Sequence, residues 1–157
     1  MTITLDPASR ADELVLNRLL QLYVYDFSEF MDFDIGDDGI FRFTYQPEPW
    51  RHAYLVRVDG RLAGFAILDE KSRITGNRDV MDVAEFFVMR KFRRKGVGAA
   101  AAMQAFDLFP RKWEVRQTAK NVAATAFWRR TIARYTGGHF EEVVFDDERW
   151  RGPMQSF

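Results

Sequence analysis

A short basic turn with two glycines, Arg93-Arg94-Lys95-Gly96-Val97-Gly98, carries the clearest chemical signal in this 157-residue sequence. It follows an apolar run and precedes an alanine-rich segment, so we predict a strand, a turn and the N-terminus of a helix. Backbone N–H groups at a helix N-terminus bind anions, and glycine lets the backbone approach them closely. Five of the six residues from 90 to 95 are basic. The pattern predicts a pyrophosphate-binding cradle, although it matches neither the P-loop nor the dinucleotide-binding fingerprint.

Two carboxylates, Asp82 and Glu85, lie in the apolar run just before this turn. A carboxylate placed beside a reacting group can act as a general base. Side chains alternate along a strand, so these two would face opposite sides of a sheet unless a bulge intervenes. The two histidines, His52 and His139, are isolated from the other candidates and do not define a site.

Charge is distributed unevenly, although the chain has 23 basic and 23 acidic residues. Residues 90–134 contain twelve basic and two acidic residues, whereas residues 1–89 contain nine basic and sixteen acidic ones. A basic half attracts a polyanion, and an acidic segment attracts a cation. Six of the acids fall between Asp26 and Asp38, which indicates either a wall that binds a cation or a solvated loop.

The sequence contains no cysteine, which excludes disulfides, thiolate metal sites and a cysteine nucleophile. Its composition, 47% hydrophobic and 29% charged, is typical of a globular domain. The first residues, MTITLDPASR, do not resemble a secretion signal, and no apolar run reaches the roughly 18 residues of a membrane span. We expect a cytoplasmic protein with no metal site and no membrane contact.

Alternating strands and helices must position these residues within one α/β domain that spans residues 1–157. Asp59-Gly60 between two apolar runs predicts a hairpin, and Gly64 predicts a bulge or a close approach of another backbone. We predict strands at 3–5, 54–58, 62–68, 80–89, 113–118, 140–145 and 153–157, and helices from an N-cap at Ser9 to Phe30, at 98–109 and at 123–135.

The segment from Phe86 to Gly98 resembles the acetyl-CoA motif of the GNAT N-acetyltransferases, an apolar strand followed by Q/R-x-x-G-x-G/A. Residues 121–128, NVAATAFW, resemble the family's second motif, N-x-x-A-x-x-F-Y, and residues 62–66 resemble its third strand. The resemblance covers about residues 14–140, and AEFFVMRKFRRKGVG is especially similar to the diamine acetyltransferase branch. It implies a mixed, mostly antiparallel central sheet, flanked by helices, whose central strands splay apart.

The resemblance implies that the backbone of residues 86–88 hydrogen-bonds the pantetheine arm and the thioester region of acetyl-CoA. The Val88 N–H would also stabilise the oxyanion that forms during acyl transfer. Arg93 would support the pyrophosphate loop, whose backbone N–H groups belong to Arg94, Lys95, Gly96, Val97, Gly98 and Ala99. The remaining implied contacts to the cofactor are those of Phe86, Phe87, Asn121 and Trp128.

Trp128 stands where the family often has a tyrosine that protonates the departing thiolate. An indole N–H is not acidic near neutral pH, so it cannot replace that tyrosine as a general acid. Trp128 is then either a pantetheine contact or a core residue of its helix. Tyr135, seven residues further on, is a candidate substitute.

With no cysteine to carry an acyl group, we expect direct attack of a primary amine on acetyl-CoA in a ternary complex. Glu85 occupies the position of an acid in the diamine branch and is the preferred base, with Asp82 as the alternative. Tyr25, Asp26 and Glu29 are expected to form an acidic wall for a small cationic molecule, such as a polyamine or an aminoglycoside-like compound, or for a basic peptide terminus.

Two other functions stay open at the level of sequence. Trp128 favours a non-catalytic acyl-CoA-binding relative of the family. A nucleic-acid-binding module could use the basic run from Arg90 to Lys95, but the zero net charge and the lack of an RNA-binding aromatic motif disfavour it. A homodimer is compatible with the sequence.

Overall fold

Asp59 and Gly60 form the two-residue turn of the predicted hairpin in the computed structural model, which describes residues 1–157. Both have positive φ angles, 49° and 75°, as a tight turn between right-twisted strands requires. The hairpin joins β2 (Arg51–Val58) to β3 (Arg61–Asp69) and confirms the prediction from Asp-Gly.

The hairpin belongs to a seven-stranded sheet with the order β1-β2-β3-β4-β5-β7-β6. Every neighbouring pair is antiparallel except β4 and β5, which confirms the predicted mixed, mostly antiparallel α/β fold. The other strands are β1 (Ile3–Pro7), β4 (Val80–Val88), β5 (Lys112–Arg116), β6 (Glu141–Asp146) and β7 (Arg151–Ser156), and the helices are α1 (Glu13–Phe27), α2 (Val97–Leu108) and α3 (Val122–Thr136).

Helix α1 ends at Phe27, three residues before the predicted end at Phe30. The Ser28 hydroxyl donates to the Tyr25 carbonyl oxygen over 2.6 Å, which satisfies a carbonyl of the last turn and closes the helix. None of the helices is long and apolar enough to cross a bilayer.

Each face of the sheet carries its own apolar layer. On one face, Leu16 and Leu20 of α1 pack against Phe65 and Phe87 of the central strands. On the other face, side chains of α2 and α3 pack against β4 and β5, with Trp113 and Phe106 at the centre. The two layers hold β4 between them, so its side chains alternate between the α1 face and the α2/α3 face.

The centre of the sheet is split. Strands β4 and β5 pair only where Val80–Asp82 run beside Lys112–Glu114. Beyond Asp82, β4 continues to Val88 with no partner on that side, whereas β5 pairs with β7 instead. This confirms the expected splay and leaves a gap with the free edge of β4 along one wall.

A β-bulge at Ala84 changes the direction of side chains within β4. Ile67 lies opposite Glu85 and Leu68 lies opposite Val83, so Ala84 is an extra residue on β4. Asp82 and Glu85 therefore point to the same side of the sheet, although their spacing of three predicts opposite sides. Without this bulge, the two carboxylates would lie on opposite sides of the sheet and could not reach the same site.

Gly64 lies where another backbone comes close, as predicted. A second bulge shifts the register between Val56 and Arg57, next to this residue. A Cβ atom at Gly64 would lie 2.0 Å from the Phe87 carbonyl oxygen, so no side chain fits there. The close contact fixes the end of β4 against β3.

Candidate active site

A cavity of about 380 Å³ lies at the gap between β4 and β5. It is bounded by the C-terminal half of α1, the bulged part of β4, the end of β5 and the first turns of α3. Its lining includes Tyr23, Val24, Phe27, Met31, Phe33, Phe43, Arg51, Asp69, Arg73, Asp82, Val83, Ala84, Glu85, Phe86, Arg116, Gln117, Thr118, Asn121, Ala124, Trp128 and Trp150.

Glu85 is a carboxylate that lines this cavity. The Tyr23 hydroxyl donates a hydrogen bond of 2.5 Å to its Oε2 atom. Burial raises the pKa of Glu85 to about 7; the Tyr23 hydrogen bond and the charge of Arg116 oppose this rise, and nearby Asp82 adds to it. A carboxylate with a pKa near neutrality is well matched to general-base catalysis.

Asp82, the alternative base, is held by an ion pair. Arg116 donates from Nε to Asp82 Oδ1 over 3.0 Å and from Nη2 to Oδ2 over 2.8 Å. The Asp82 side chain is only 2% exposed, and burial raises its pKa. Both carboxylate oxygens of Asp82 thus accept from Arg116 of β5, whereas Glu85 accepts only from the Tyr23 hydroxyl.

The glycine turn forms the N-terminus of α2 and has the donors an anion needs. Gly96 is the N-cap residue with φ of 78°, and a Cβ atom there would have nothing within 4 Å. The six successive N–H groups from Arg94 to Ala99 have no hydrogen-bond partner within the protein. The turn therefore presents open, unpaired donors beside a helix N-terminus, which suits a pyrophosphate.

Arg93, at the start of this turn, contacts both β4 and α1. Its Nε atom donates to the Val88 carbonyl oxygen over 2.6 Å, and its guanidinium also pairs with Asp26 of α1. The Arg93 side chain, which is 40% exposed, thus joins the start of the turn to β4 and to α1.

The free edge of β4 offers backbone groups to the gap. The Met89 N–H donates to the Ala63 carbonyl oxygen of β3 over 2.8 Å. Because N–H directions alternate along a strand, the N–H groups of Phe86 and Val88 point away from β3 and into the gap. Glu85 and the free edge of β4 at Phe86 line the cavity, whereas Phe87, Val88 and the turn from Arg93 to Ala99 lie outside its lining.

The sequence that forms this arrangement matches the model of a known protein family. The model of the acetyltransferase (GNAT) family matches residues 16–132. The chain belongs to the GNAT acetyltransferases. The matched range contains the bulged strand, the glycine turn and the start of α3, and of the residues that line the cavity only Trp150 lies beyond it.

Solved structures share this GNAT fold over nearly the whole chain at low sequence identity. An aminoglycoside acetyltransferase in complex with coenzyme A has a TM-score of 0.69 and 14% identity, covering 99% of this chain and 94% of that one. The PaiA N-acetyltransferase from Thermoplasma acidophilum, also in complex with coenzyme A, has a TM-score of 0.65 and 12% identity. The match covers 99% of this chain and 98% of that one. The ribosomal-protein-S18-alanine N-acetyltransferase from Escherichia coli has a TM-score of 0.61 and 14% identity. The match covers 99% of this chain and 91% of that one. No curated protein matches the chain by sequence.

Asn121 and Trp128 both line the cavity of this GNAT domain. The Asn121 Oδ1 atom accepts from the Ala124 N–H over 3.2 Å and caps α3, so only its amide N–H₂ group can face a ligand. The Trp128 ring packs edge-to-face on Phe86 and Phe127, each with centroids 5.0 Å apart, and is 6% exposed. Trp128 is therefore a core residue whose edge reaches the cavity.

The three residues expected to bind the acceptor do not line the cavity. Tyr25 is 62% exposed, and Asp26 pairs with Arg90 and Arg93. Tyr25 lies on the other side of α1 from Tyr23 and Phe27, because successive helical residues are about 100° apart, and Glu29 follows the end of the helix. The acidic wall predicted from composition is not part of this cavity.

Tyr135 is also remote from the site. Its hydroxyl donates to Asp107 Oδ1 over 2.9 Å at the end of α2, and its ring packs on Phe106 and Phe157. It does not line the cavity, so the structure excludes it as the substitute proton donor for Trp128.

Sequence reasoning missed Tyr23 and Arg73. Tyr23 lies among apolar residues of α1, and nothing in the sequence marks its hydroxyl as a contact of Glu85. Arg73 lies in the loop after β3, in a polar segment with no motif. No group of three or more histidine, aspartate or glutamate side chains is arranged to hold a metal ion.

Proposed function

We propose that this protein is an N-acetyltransferase that moves the acetyl group of acetyl-CoA directly to a primary amine of a small molecule or peptide. The observation that carries the proposal is Glu85, a carboxylate with a pKa of about 7 in a cavity that also meets the free edge of β4. Acetyl-CoA supplies an activated thioester, and the unpaired donors from Arg94 to Ala99 suit its pyrophosphate.

Each residue of the site then has a defined task. Glu85 accepts the proton of the amine, and the new N–C bond forms as the C–S bond breaks. The Val88 N–H donates to the carbonyl oxygen as it gains negative charge. The electron pair of the broken bond leaves with the thiolate, which is tolerable near neutrality because a thiol has a pKa of about 8.5. No general acid is then required at Trp128.

Initial-rate kinetics test this mechanism. We expect thiol release from acetyl-CoA that depends on an amine acceptor, with double-reciprocal lines that intersect because both substrates bind before reaction. Parallel lines would indicate an acetylated enzyme and would overturn direct transfer. The neighbours act on acceptors as different as an aminoglycoside and a ribosomal-protein alanine, so the fold itself leaves the acceptor open.

Trp128 supports a second candidate, an acyl-CoA-binding protein without transferase activity. Its ring fills the place where a catalytic tyrosine would stand, and its packing against Phe86 gives it a structural reason to be there. This candidate predicts that CoA binds in calorimetry while no amine releases thiol. A nucleic-acid-binding module would instead bind an oligonucleotide in competition with CoA.

A further inference from the structure

The charges that line the cavity determine which kind of amine it accepts, given the proposed transferase function. Six charged side chains line it: Arg51, Arg73, Arg116, Asp69, Asp82 and Glu85. Arg51 donates to both oxygens of Asp69, over 2.8 and 2.9 Å, and Arg116 does the same to Asp82. Two ion pairs are thus complete before any ligand enters.

The two charged groups that remain have opposite signs. Glu85 accepts a hydrogen bond only from a tyrosine, and Arg73 takes part in none of the protein's ion pairs. A polyamine or an aminoglycoside would bring several positive charges to a cavity with one unpaired carboxylate and one unpaired guanidinium. Such a ligand is poorly matched, because like charges at short range cost free energy.

The outer part of the cavity is aromatic. Phe27 is the last residue of α1, and Met31, Phe33 and Phe43 lie in the segment between α1 and β2. Phe33 is 41% exposed and Phe43 is 36% exposed. Exposed aromatic rings that line one concave surface are typical of a binding site for an apolar group.

We propose that the acceptor is a small zwitterionic amine with an aromatic or large apolar side group, of the chemical class of an aromatic amino acid. Its amine meets Glu85, its carboxylate meets Arg73, and its apolar group packs against Phe33 and Phe43. The cationic acceptor expected from the sequence depended on Tyr25, Asp26 and Glu29, which lie outside the cavity.

Three acceptors separate the contributions of charge and apolar surface. They are L-phenylalanine, phenethylamine, which lacks the carboxylate, and spermidine, which carries several amines and no apolar group. With acetyl-CoA and a thiol-release assay, we expect kcat/KM for L-phenylalanine to exceed that for phenethylamine by about tenfold, as a charge-assisted contact would give. Spermidine should stay near background. A preference for spermidine would overturn the inference.

Arg73→Gln tests the carboxylate contact directly. We expect the preference for L-phenylalanine over phenethylamine to fall about tenfold in this variant, because one charge-assisted hydrogen bond is lost. Arg78→Gln is the matched control: Arg78 is exposed in the same loop, lies over the Trp50 ring and does not line the cavity. An unchanged preference in Arg73→Gln would overturn the proposed contact.

The proposed function and this inference fail in different ways. If CoA binds and no amine of a broad panel that includes these three releases thiol, the transferase function fails and the inference falls with it. If only amines of another class react, the transferase function stands and the inference is wrong. If spermidine or phenethylamine reacts well and L-phenylalanine does not, the transferase function stands and only the acceptor class is wrong.

Discussion

The Tyr23 hydroxyl of α1 donates a 2.5 Å hydrogen bond to the Glu85 carboxylate of β4, across 62 residues of sequence. This contact ties the helix that borders the acceptor side to the strand that borders the gap. It stabilises the ionised form of Glu85, whereas burial opposes ionisation, and the balance leaves the pKa at about 7. The pair therefore sets the pH range in which the base can work.

Glu85→Gln removes the base. We expect kcat to fall about 10²- to 10⁴-fold, the usual contribution of general acid–base catalysis, with CoA affinity near normal. In the wild type, activity should rise with pH through about 7, because Glu85 must be ionised to accept a proton. Glu70→Gln is the control, since Glu70 pairs with His52 and Arg111 outside the cavity. A fully active Glu85→Gln enzyme would transfer the role to water or Asp82.

Tyr23→Phe changes the pH profile more than the fold. The hydrogen bond from Tyr23 lowers the pKa of Glu85, so its loss should move the acidic limb of kcat to higher pH. Tyr54→Phe is the matched control, because Tyr54 is buried in the apolar layer on the other face of the sheet. A pH profile that shifts equally in both variants would show that Tyr23 does not tune the base.

Asp82→Asn separates structure from catalysis. It leaves the Arg116 guanidinium, whose side chain is 8% exposed, without its ionic partner. Removing one member of a buried ion pair costs about 3–5 kcal/mol, so urea unfolding should show a large loss of stability. A variant of unchanged stability that had lost only turnover would reassign Asp82 to catalysis.

Glu85→Gln should behave in the opposite way in the same unfolding experiment. The pKa of Glu85 is about 7 in the folded protein, compared with 4.5 for an ordinary glutamate, so the folded state holds this proton more tightly. Stability from this group is therefore full at low pH and is lost as pH rises from about 4.5 to 7. The free energy of unfolding that Glu85→Gln gains over the wild type should therefore be larger at pH 8 than at pH 4. The size of this difference should correspond to the difference between the folded and unfolded pKa values of Glu85.

Gly96→Ala tests the anion cradle. The φ angle of Gly96 is 78°, where an L-residue is strained by about 1–2 kcal/mol, and the added methyl group would project into the open space above the turn. Gly60→Ala is matched in strain, with φ of 75° and equally open surroundings in the hairpin turn. Both variants should lose similar stability, but only Gly96→Ala should weaken CoA binding in calorimetry, by at least about tenfold. Equal CoA affinity in the two would refute the cradle.

Trp128 variants test whether thiolate departure needs a proton donor. Trp128→Phe should leave turnover within a few-fold, because no proton transfer is lost. Trp128→Tyr should raise turnover if its hydroxyl reaches the gap, since it would supply the missing general acid. A steep loss in Trp128→Phe with intact CoA binding would give the indole N–H a direct role. Trp113→Phe provides a comparison, since Trp113 is 1% exposed and does not line the cavity.

Local signals in the sequence were sufficient to predict the glycine turn before α2 and the hairpin. The φ angles of Asp59 and Gly60 and the N-cap at Gly96 depend on neighbouring residues only, so their types reveal them. The Tyr23–Glu85 contact could not be predicted in the same way. It depends on the bulge at Ala84, and the surrounding Val-Ala-Glu sequence has no residue that marks a bulge.

The residues on the acceptor side depend on more than local composition. Acids and aromatics cluster around Tyr25, Asp26 and Glu29, but composition carries no information on which side chains face the cavity. Helical periodicity places Tyr25 away from Tyr23 and Phe27, Asp26 pairs with Arg90 and Arg93, and Glu29 follows the end of α1. Composition therefore indicates the segment, whereas the fold determines which of its residues line the cavity.

Because β4 and β5 are split, the rate at which the protein is degraded should depend on the cellular concentration of coenzyme A and its thioesters. A sheet that lacks a partner at its centre gains hydrogen bonds when a ligand lies along the free edge of β4, and mass action then adds stability as ligand concentration rises. The fraction of molecules open to proteolysis should thus fall when coenzyme A and its thioesters are abundant. When these compounds are depleted, the same chain becomes an easier target for degradation, so its cellular abundance would follow the supply of its own cosubstrate.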